Sequence, residues 1–318
     1  MEKTLDIVIP IYNESKNLQL LIERIEEKLS NHFQSIRIIF IDDGSRDETY
    51  EVIQELLKVT NQIQITYLRF TRNFGKEIAV KCGIDHSKAN YCAIMDGDLQ
   101  HPPEALIDAF KMLTEEKSSI IYISPLKRIK HVHQKIGAYG YRKLINTFSK
   151  DKVYLTDFSI LDKKAIDLIK QFNESDFYTR GILSVIGLKS SEIFYKPEKR
   201  MHGKTHFSFK KSINLAIDGI ISVSIKPLRI AIYTGIIISI FSILFGLFLV
   251  IEKIVLGQPI PGFATMGFGM FFMGGIQLLF LGLIGEYVGK TYLQAKNRPI
   301  YTIDEVLSNE NKDEDADN

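Results

Sequence analysis

Apolar and polar positions along the first 125 residues alternate between two rhythms. Short runs rich in β-branched and aromatic residues (LDIVI at 5–9, IRIIFI at 36–41, QITYLR at 64–69, YCAIM at 91–95, SIIYIS at 119–124) are separated by stretches with helical spacing. Between the first two runs, Leu18, Leu21, Ile22, Ile25 and Leu29 recur on one helical face. This order predicts an α/β domain, a parallel sheet covered by helices. Two later segments change the picture. Residues 230–251 carry no charge over 22 positions, and residues 254–285 none over 32, broken only by Gln258, Pro259, Pro261 and Gln277. A helix of about 20 apolar residues crosses the hydrocarbon layer, so both are expected to span a membrane with a tight turn between them.

The expected organisation is therefore a soluble domain over 1–207, a juxtamembrane segment over 208–229, two spans over 230–289 and a tail over 290–318 whose acidic end, NENKDEDADN, is disordered. Within 208–228, Ile213, Ile217, Ile220, Ile221 and Val223 with Lys210 and Lys211 suggest an amphipathic helix on a membrane surface; a core-facing helix is the alternative. Lys210, Lys211, Lys226 and Arg229 precede the first span, and Lys290, Lys296 and Arg298 follow the second. The connecting turn holds only Lys253 beside Glu252. Cations favour the cytoplasmic side, so the soluble domain and both termini are expected there, on a multi-pass protein of the plasma membrane. The opening MEKTLDIVIPIYNE is acidic and its apolar run too short for a signal peptide. Cys82 and Cys92 are isolated thiols in a reducing compartment, where no disulfide is expected. A 45% hydrophobic content is ordinary, and the formal net charge of +2 decides little; no nucleic-acid partner is expected.

The polar motifs sit where such a sheet places its ligands, beyond the carboxyl ends of the strands. PIYNE follows the first run, DDGSRDET the second, TRNFGKE the third and DGDLQ the fourth. No G-x-G-x-x-G follows the first strand and no G-x-x-x-x-G-K-[ST] occurs, which argues against dinucleotide oxidoreductases and P-loop NTPases. In an extended segment Asp96 and Asp98 would share a face, with Gly97 leaving the space between them open. Paired carboxylates suit Mg²⁺ or Mn²⁺, which also take phosphate oxygens. A polar strand exit ahead of Pro102 and Pro103 is the alternative reading. His131 and His133, in the basic run LKRIKHVHQK, have no third ligand at zinc spacing.

Together IVIPIYNE, IDDGSRDET, RNFGKE, MDGDLQHPPE, DFSILDKKA, TRG, PLRI and GGIQLLFLGLIGEYVGKTYLQAKNRPIY resemble the polyprenyl-phosphate glycosyltransferases of glycosyltransferase family 2, from about residue 5 to 303. The resemblance implies a cytoplasmic GT-A (Rossmann-like) fold. It implies an inverting transfer of a hexose, glucose or N-acetylglucosamine, from a UDP-sugar donor to undecaprenyl phosphate, with Mg²⁺ or Mn²⁺ as cofactor. Carried over by motif, Pro10, Tyr12, Glu14 and Asp42 would hold the base and ribose, and Asp43 would point to the opposite face from Asp42. Asp96 and Asp98 would be the metal pair, with Asp98 the direct ligand, and Asp157 the residue at the place of the base. Arg200 would serve catalysis and the acceptor phosphate, with Lys204 and Arg128 beside it; His202 and His206 lie close in sequence. Lys76, with Arg72 one helical turn away, would face phosphate from a helix amino terminus. Homotetramers, a flippase and an outer-face glycosyltransferase are the partners the resemblance implies, beyond membrane lipid.

The acceptor is a phosphate monoester whose second ionisation lies near pH 6, so a strong base is scarcely needed and Asp157 is expected to orient as much as to take a proton. Two departures stand out. His101 replaces an acidic residue of the family, and Ser159 replaces an arginine, which leaves the sugar open. A processive polysaccharide synthase is disfavoured, because the chain lacks tryptophan, a Gln-x-x-Arg-Trp motif and further spans. A mannose- or aminoarabinose-type transferase, or a catalytically silent nucleotide-sugar-binding scaffold for a flippase, are the other readings.

Overall fold

The computed structural model describes residues 2–60, 63–126, 154, 156–175, 177–196, 226–256 and 262–309. They fall into two compact units, one of residues 1–216 with 298–318 and one of residues 217–297.

The first unit is built on strands β1 (Thr4–Ile11), β2 (Ser35–Asp42), β3 (Gln64–Phe70), β4 (Tyr91–Ile94), β5 (Ile120–Pro125), β6 (Ser159–Asp162), β7 (Ser190–Tyr195) and β8 (Ile303–Ser308). They form one sheet in the order β7-β5-β6-β4-β1-β2-β3-β8. All five runs of the sequence analysis are strands of this sheet. The central strands are almost continuously apolar because helices cover both faces. On one face Ile7, Ile9, Ile38 and Phe40 pack with α1 (Leu18–Leu29), α2 (Thr49–Val59) and α4 (Ala105–Glu115). On the other, Val8, Ile39 and Ile41 meet α3 (Lys76–His86), α5 (Lys163–Ile169) and α6 (Thr179–Val185). The five residues of the predicted α1 stripe are all buried. Each contributes about 1.5–3 kcal/mol relative to exposure.

The sheet is mixed, not wholly parallel. β1 pairs in parallel with β2 and β4, but β6 runs antiparallel between β4 and β5, and β8 antiparallel against β3. The reversed β6 matters most for function. Ser159 pairs with Ile94, so the residues just before β6 lie beside those just after β4. Asp157 thereby reaches the loop that carries Asp96 and Asp98. Residues 303–308, part of the expected tail, complete the edge of the sheet.

At the opposite end of the strands, Asp6 is buried and accepts from Arg37 Nε (2.9 Å) and Nη2 (2.8 Å), from the Ser87 hydroxyl and from the Lys88 and Ala89 amides. Every bond needed to keep this charge inside is therefore present.

The second unit contains α7 (Lys226–Leu256) and α8 (Phe263–Ala295). Both are long and apolar enough to cross a membrane, over Leu228–Leu249 and Gly269–Ala295. Their apolar side chains, Phe241, Leu244, Phe248, Phe271 and Leu278 among them, are exposed, as lipid-facing side chains would be. α8 runs six residues beyond the expected end of the spans at 289.

Candidate active site

Four loops meet at the carboxyl ends of β1 to β4, and they are laced together by short polar side chains. Asn13 takes a left-handed conformation (φ 56°) after β1. Its amide donates to Ser45 Oγ, while its own Oδ1 accepts from the Arg46 amide. The Glu14 amide donates to Thr49 Oγ1 and the Ser15 amide to Asp47. Gly44 (φ +73°) passes so close to the next loop that a Cβ would lie 2.8 Å from the Arg72 carbonyl carbon, which explains the glycine. Asp43 accepts from the Phe74 and Gly75 amides and so fastens the β2 loop to the start of α3. Burial raises its carboxyl above the usual range even against those donors.

Tyr12 is exposed at 43%, free to lie along a planar ring. Pro10 is the penultimate residue of β1, paired with Ile41, and Glu14 Oε2 accepts from Asn17 Nδ2. Asp42 is fully buried, with Oδ1 accepting from the Ser45 amide and Oδ2 from the Tyr67 hydroxyl at 2.6 Å. With these partners its carboxylate shapes the loop after β2. Arg72 is also not on α3; it stacks over the Phe74 ring at 4.4 Å ahead of the helix.

The two aspartates lie past the end of β4, in a turn where Leu99 has φ 62°, so strand alternation does not account for their placement. Gly97 is not an open gap between them: a Cβ there would come 3.1 Å from Ile11 Cγ2, and the glycine lets the turn settle on β1. Asp98 is nearly buried and is held by Gln100, whose amide N–H reaches Oδ1 (3.1 Å) and whose side chain reaches Oδ2 (2.8 Å).

Lys76, the first residue of α3, does not stand free for a phosphate. Its Nζ lies 2.6 Å from Asp96 Oδ1 and 2.8 Å from Asp157 Oδ2. Arg180 Nε donates to the other oxygen of Asp157 at 2.5 Å. A chain of alternating charge thus runs Asp96, Lys76, Asp157, Arg180. Burial raises the Asp157 carboxyl, but the Lys76 charge and the Arg180 hydrogen bond outweigh it and hold the group well below the usual carboxylate range. Burial likewise disfavours the Lys76 ammonium, and the two aspartates more than restore it. Both groups are charged at neutral pH.

Two residues without an assigned role in the sequence reading, Glu77 and His101, support this chain. Glu77 accepts from the amide (2.9 Å) and hydroxyl (2.6 Å) of Thr179, which sets the start of α6 and with it Arg180. His101 Nδ1 accepts from the Asp96 amide at 3.0 Å, which leaves the ring proton on Nε2. Its ring stacks on Phe158 with centroids 4.6 Å apart and planes 7° from parallel. Burial keeps the imidazole neutral, its pKa lowered. His101 therefore joins the turn of Asp96 to the segment of Asp157. The motif TRG contains Arg180, and a cation one helix away from a strand-end aspartate was the available signal. Arg200, Lys204 and Arg128, with His131, His133, His202 and His206, lie outside the described residues.

Asp96 and Asp98 offer hard oxygen donors of the kind Mg²⁺ and Mn²⁺ take, so the residues fit such an ion. Among the described residues no set of three His, Cys, Asp or Glu forms a metal cage, so diphosphate oxygens and water would have to supply the remaining positions.

The comparisons with known proteins agree with the fold. The model of glycosyl transferase family 2 matches residues 6–178. Over its length the chain is 33% identical to the bactoprenol glucosyl transferase of Shigella phage SfX, covering 94% of this chain and 98% of that one. It is 36% identical to a glycosyltransferase of Synechocystis, with 95% of each covered, and 32% identical to a prophage bactoprenol glucosyl transferase homolog of Escherichia coli, covering 95% and 99%. The fold resembles a mannosyltransferase of Pyrobaculum calidifontis solved with GDP-Man and Mn²⁺ (TM-score 0.51, 14% identity, 71% and 64% covered). It also resembles mannosyl-3-phosphoglycerate synthase of Rubrobacter xylanophilus (TM-score 0.52, 12% identity, 71% and 74% covered). The sheet is that of a GT-A glycosyltransferase, and the chain belongs to glycosyl transferase family 2.

Proposed function

We propose that this glycosyltransferase moves a hexose, glucose or N-acetylglucosamine, from a UDP-sugar to undecaprenyl phosphate with inversion at the anomeric carbon. The observation that carries the reading is the near full-length similarity to bactoprenol glucosyl transferases, taken with the meeting of Asp96, Asp98, Asp157, Lys76 and Arg180 at one sheet end. Tyr12 covers the base, and the β1 and β2 loops, shaped by Asp42, enclose the nucleoside. Asp98, with Asp96, holds Mg²⁺ or Mn²⁺. When bound, the ion neutralises the charge that grows on the departing diphosphate. Asp157, fixed and ionised between Lys76 and Arg180, orients the attacked sugar and the acceptor. The acceptor's own dianion supplies the nucleophile. Lys76 and Arg180 offset the repulsion between acceptor phosphate and diphosphate, a task the expected Arg200, Lys204 and Arg128 share.

α7 and α8 cross the plasma membrane and leave the catalytic unit in the cytoplasm. β8 supports this topology: the chain that leaves for α7 is back on the same sheet after α8, so an even number of crossings is required. The product is a lipid-linked sugar for a flippase and an outer-face glycosyltransferase, made by a homotetramer. The test is to incubate detergent-purified protein with radiolabelled UDP-sugars, Mg²⁺ or Mn²⁺ and undecaprenyl phosphate. Metal-dependent label in the chloroform phase, lost with Asp98→Asn, is expected. Nucleotide binding without any labelled lipid across the donor panel would instead support a silent scaffold.

A further inference from the structure

We infer that the Lys76 ammonium is the resident counter-ion of Asp96 and must give way there before a divalent ion can bind. This deepens the proposed function and rests on the reading that Asp96 and Asp98 hold the metal.

Lys76 Nζ sits between two carboxylates, 2.6 Å from Asp96 Oδ1 and 2.8 Å from Asp157 Oδ2. The two contacts are not alike. The one to Asp157 is a well-formed hydrogen bond. Asp96 Oδ1 is shielded from solvent and takes no hydrogen bond of good geometry among the described residues, so charge alone compensates it. The weaker-directed contact is the one that can be exchanged. Its replacement must be another cation, because a shielded carboxylate oxygen without a counter-charge is strongly disfavoured.

The surroundings hold Asp96 in place while that exchange happens. His101 fixes the Asp96 amide and is stacked on Phe158, so the backbone does not need to move. Asp157 keeps Lys76 from the other side and is itself held by Arg180. A metal ion arriving alone would place its charge beside both Lys76 and Arg180. Arriving with a nucleotide diphosphate, which carries two negative charges in a UDP-sugar and up to three in UDP, it brings no net positive charge, and the displaced ammonium gains the diphosphate as a partner. Metal and nucleotide should therefore bind with strong positive coupling, each tightening the other by the same factor.

Mn²⁺ binding to the full-length protein in detergent, followed by the electron paramagnetic resonance of free Mn²⁺ with and without UDP, tests this. The wild type is expected to bind Mn²⁺ at least about tenfold more tightly with UDP than without. Lys76→Met and Lys76→Gln should bind Mn²⁺ alone about tenfold more tightly than the wild type and lose most of the UDP effect. Arg180→Gln removes an equal charge that does not touch Asp96, and should change Mn²⁺ binding clearly less. If the Lys76 variants keep UDP binding yet take Mn²⁺ no more tightly than the wild type, or if Arg180→Gln matches them, the counter-ion role is refuted while the metal site stands. If Asp96→Asn and Asp98→Asn retain UDP-dependent Mn²⁺ binding, the metal assignment fails and the inference with it.

Discussion

If Asp157 orients and the acceptor attacks as its own dianion, the acid side of the pH–rate profile belongs to the substrate and not to the enzyme. The perturbation is Asp157→Asn. Two cations contact this carboxylate, at 2.5 Å and 2.8 Å. At those separations and an effective dielectric of about 20, each contributes about 6 kcal/mol of attraction to the ionised form before desolvation is subtracted. The net effect is a carboxyl held well below its ordinary range, which is a poor proton acceptor at neutral pH. The sign follows. Asp157 stays charged as pH falls through 6, whereas the acceptor phosphate dianion takes up a proton and becomes the monoanion at about that pH. Turnover should fall below about pH 6 with a slope of one proton. The variant should show the same acid limb with a lower plateau, roughly tenfold to a hundredfold down, because Lys76 and Arg180 lose their shared partner. Rates of lipid-linked sugar formation at saturating donor, from pH 5 to 9, read this out. The reasoning is refuted if the acid limb disappears in the variant, or if small carboxylates or azide restore its rate, since either would make Asp157 the base.

Other perturbations probe the supports of the site and the fold. His101→Phe keeps the stack on Phe158 but leaves the Asp96 amide without its acceptor; activity should fall about fivefold to thirtyfold, and His101→Asn should recover part of it. Arg37→Met strands the Asp6 charge in the interior and should lower stability by about 3–5 kcal/mol, read from the thermal transition. The Asp6 carboxyl is depressed in the folded protein, with burial opposing and Arg37 the main cause of the lowering. The stability from this pair is therefore fully present above the ordinary carboxylate range and lost as pH falls through the folded value, a slope the Arg37→Met variant should not show. Deleting residues 298–318 removes β8 and the stack of Tyr301 on Phe70, and exposes the edge of β3; the unit built on the sheet should melt at lower temperature and aggregate more readily.

The strands, the α1 stripe and the two long apolar helices were legible in the chain because each depends on local pattern. Asp96, Asp98 and Asp157 were recognisable by motif, yet the reason they meet was not. It lies in the antiparallel course of β6, and strand direction leaves no trace in a four-residue apolar run. Lys76 was assigned to phosphate from its place at a helix start, and only the fold reveals the two carboxylates on either side of it. Asp42 shows a similar limit: its motif does not reveal the bonds to Ser45 and Tyr67, partners 3 and 25 residues away. The role of β8 was hidden because residues 303–308 are separated from β3 by more than two hundred positions and their sequence, IDEVLS, does not alternate apolar with polar: Glu305 is half-buried and accepts from the Tyr50 hydroxyl, while Val306 is exposed.

The account stands or falls on what the loop after β4 binds. A structure of the full-length protein with UDP-sugar and Mn²⁺, with the manganese located by its anomalous scattering, tests this most directly. The ion should lie against Asp98 and the diphosphate, with Lys76 Nζ withdrawn from Asp96 and still bonded to Asp157. Manganese bound elsewhere, or a diphosphate seated with Lys76 still on Asp96, would contradict it.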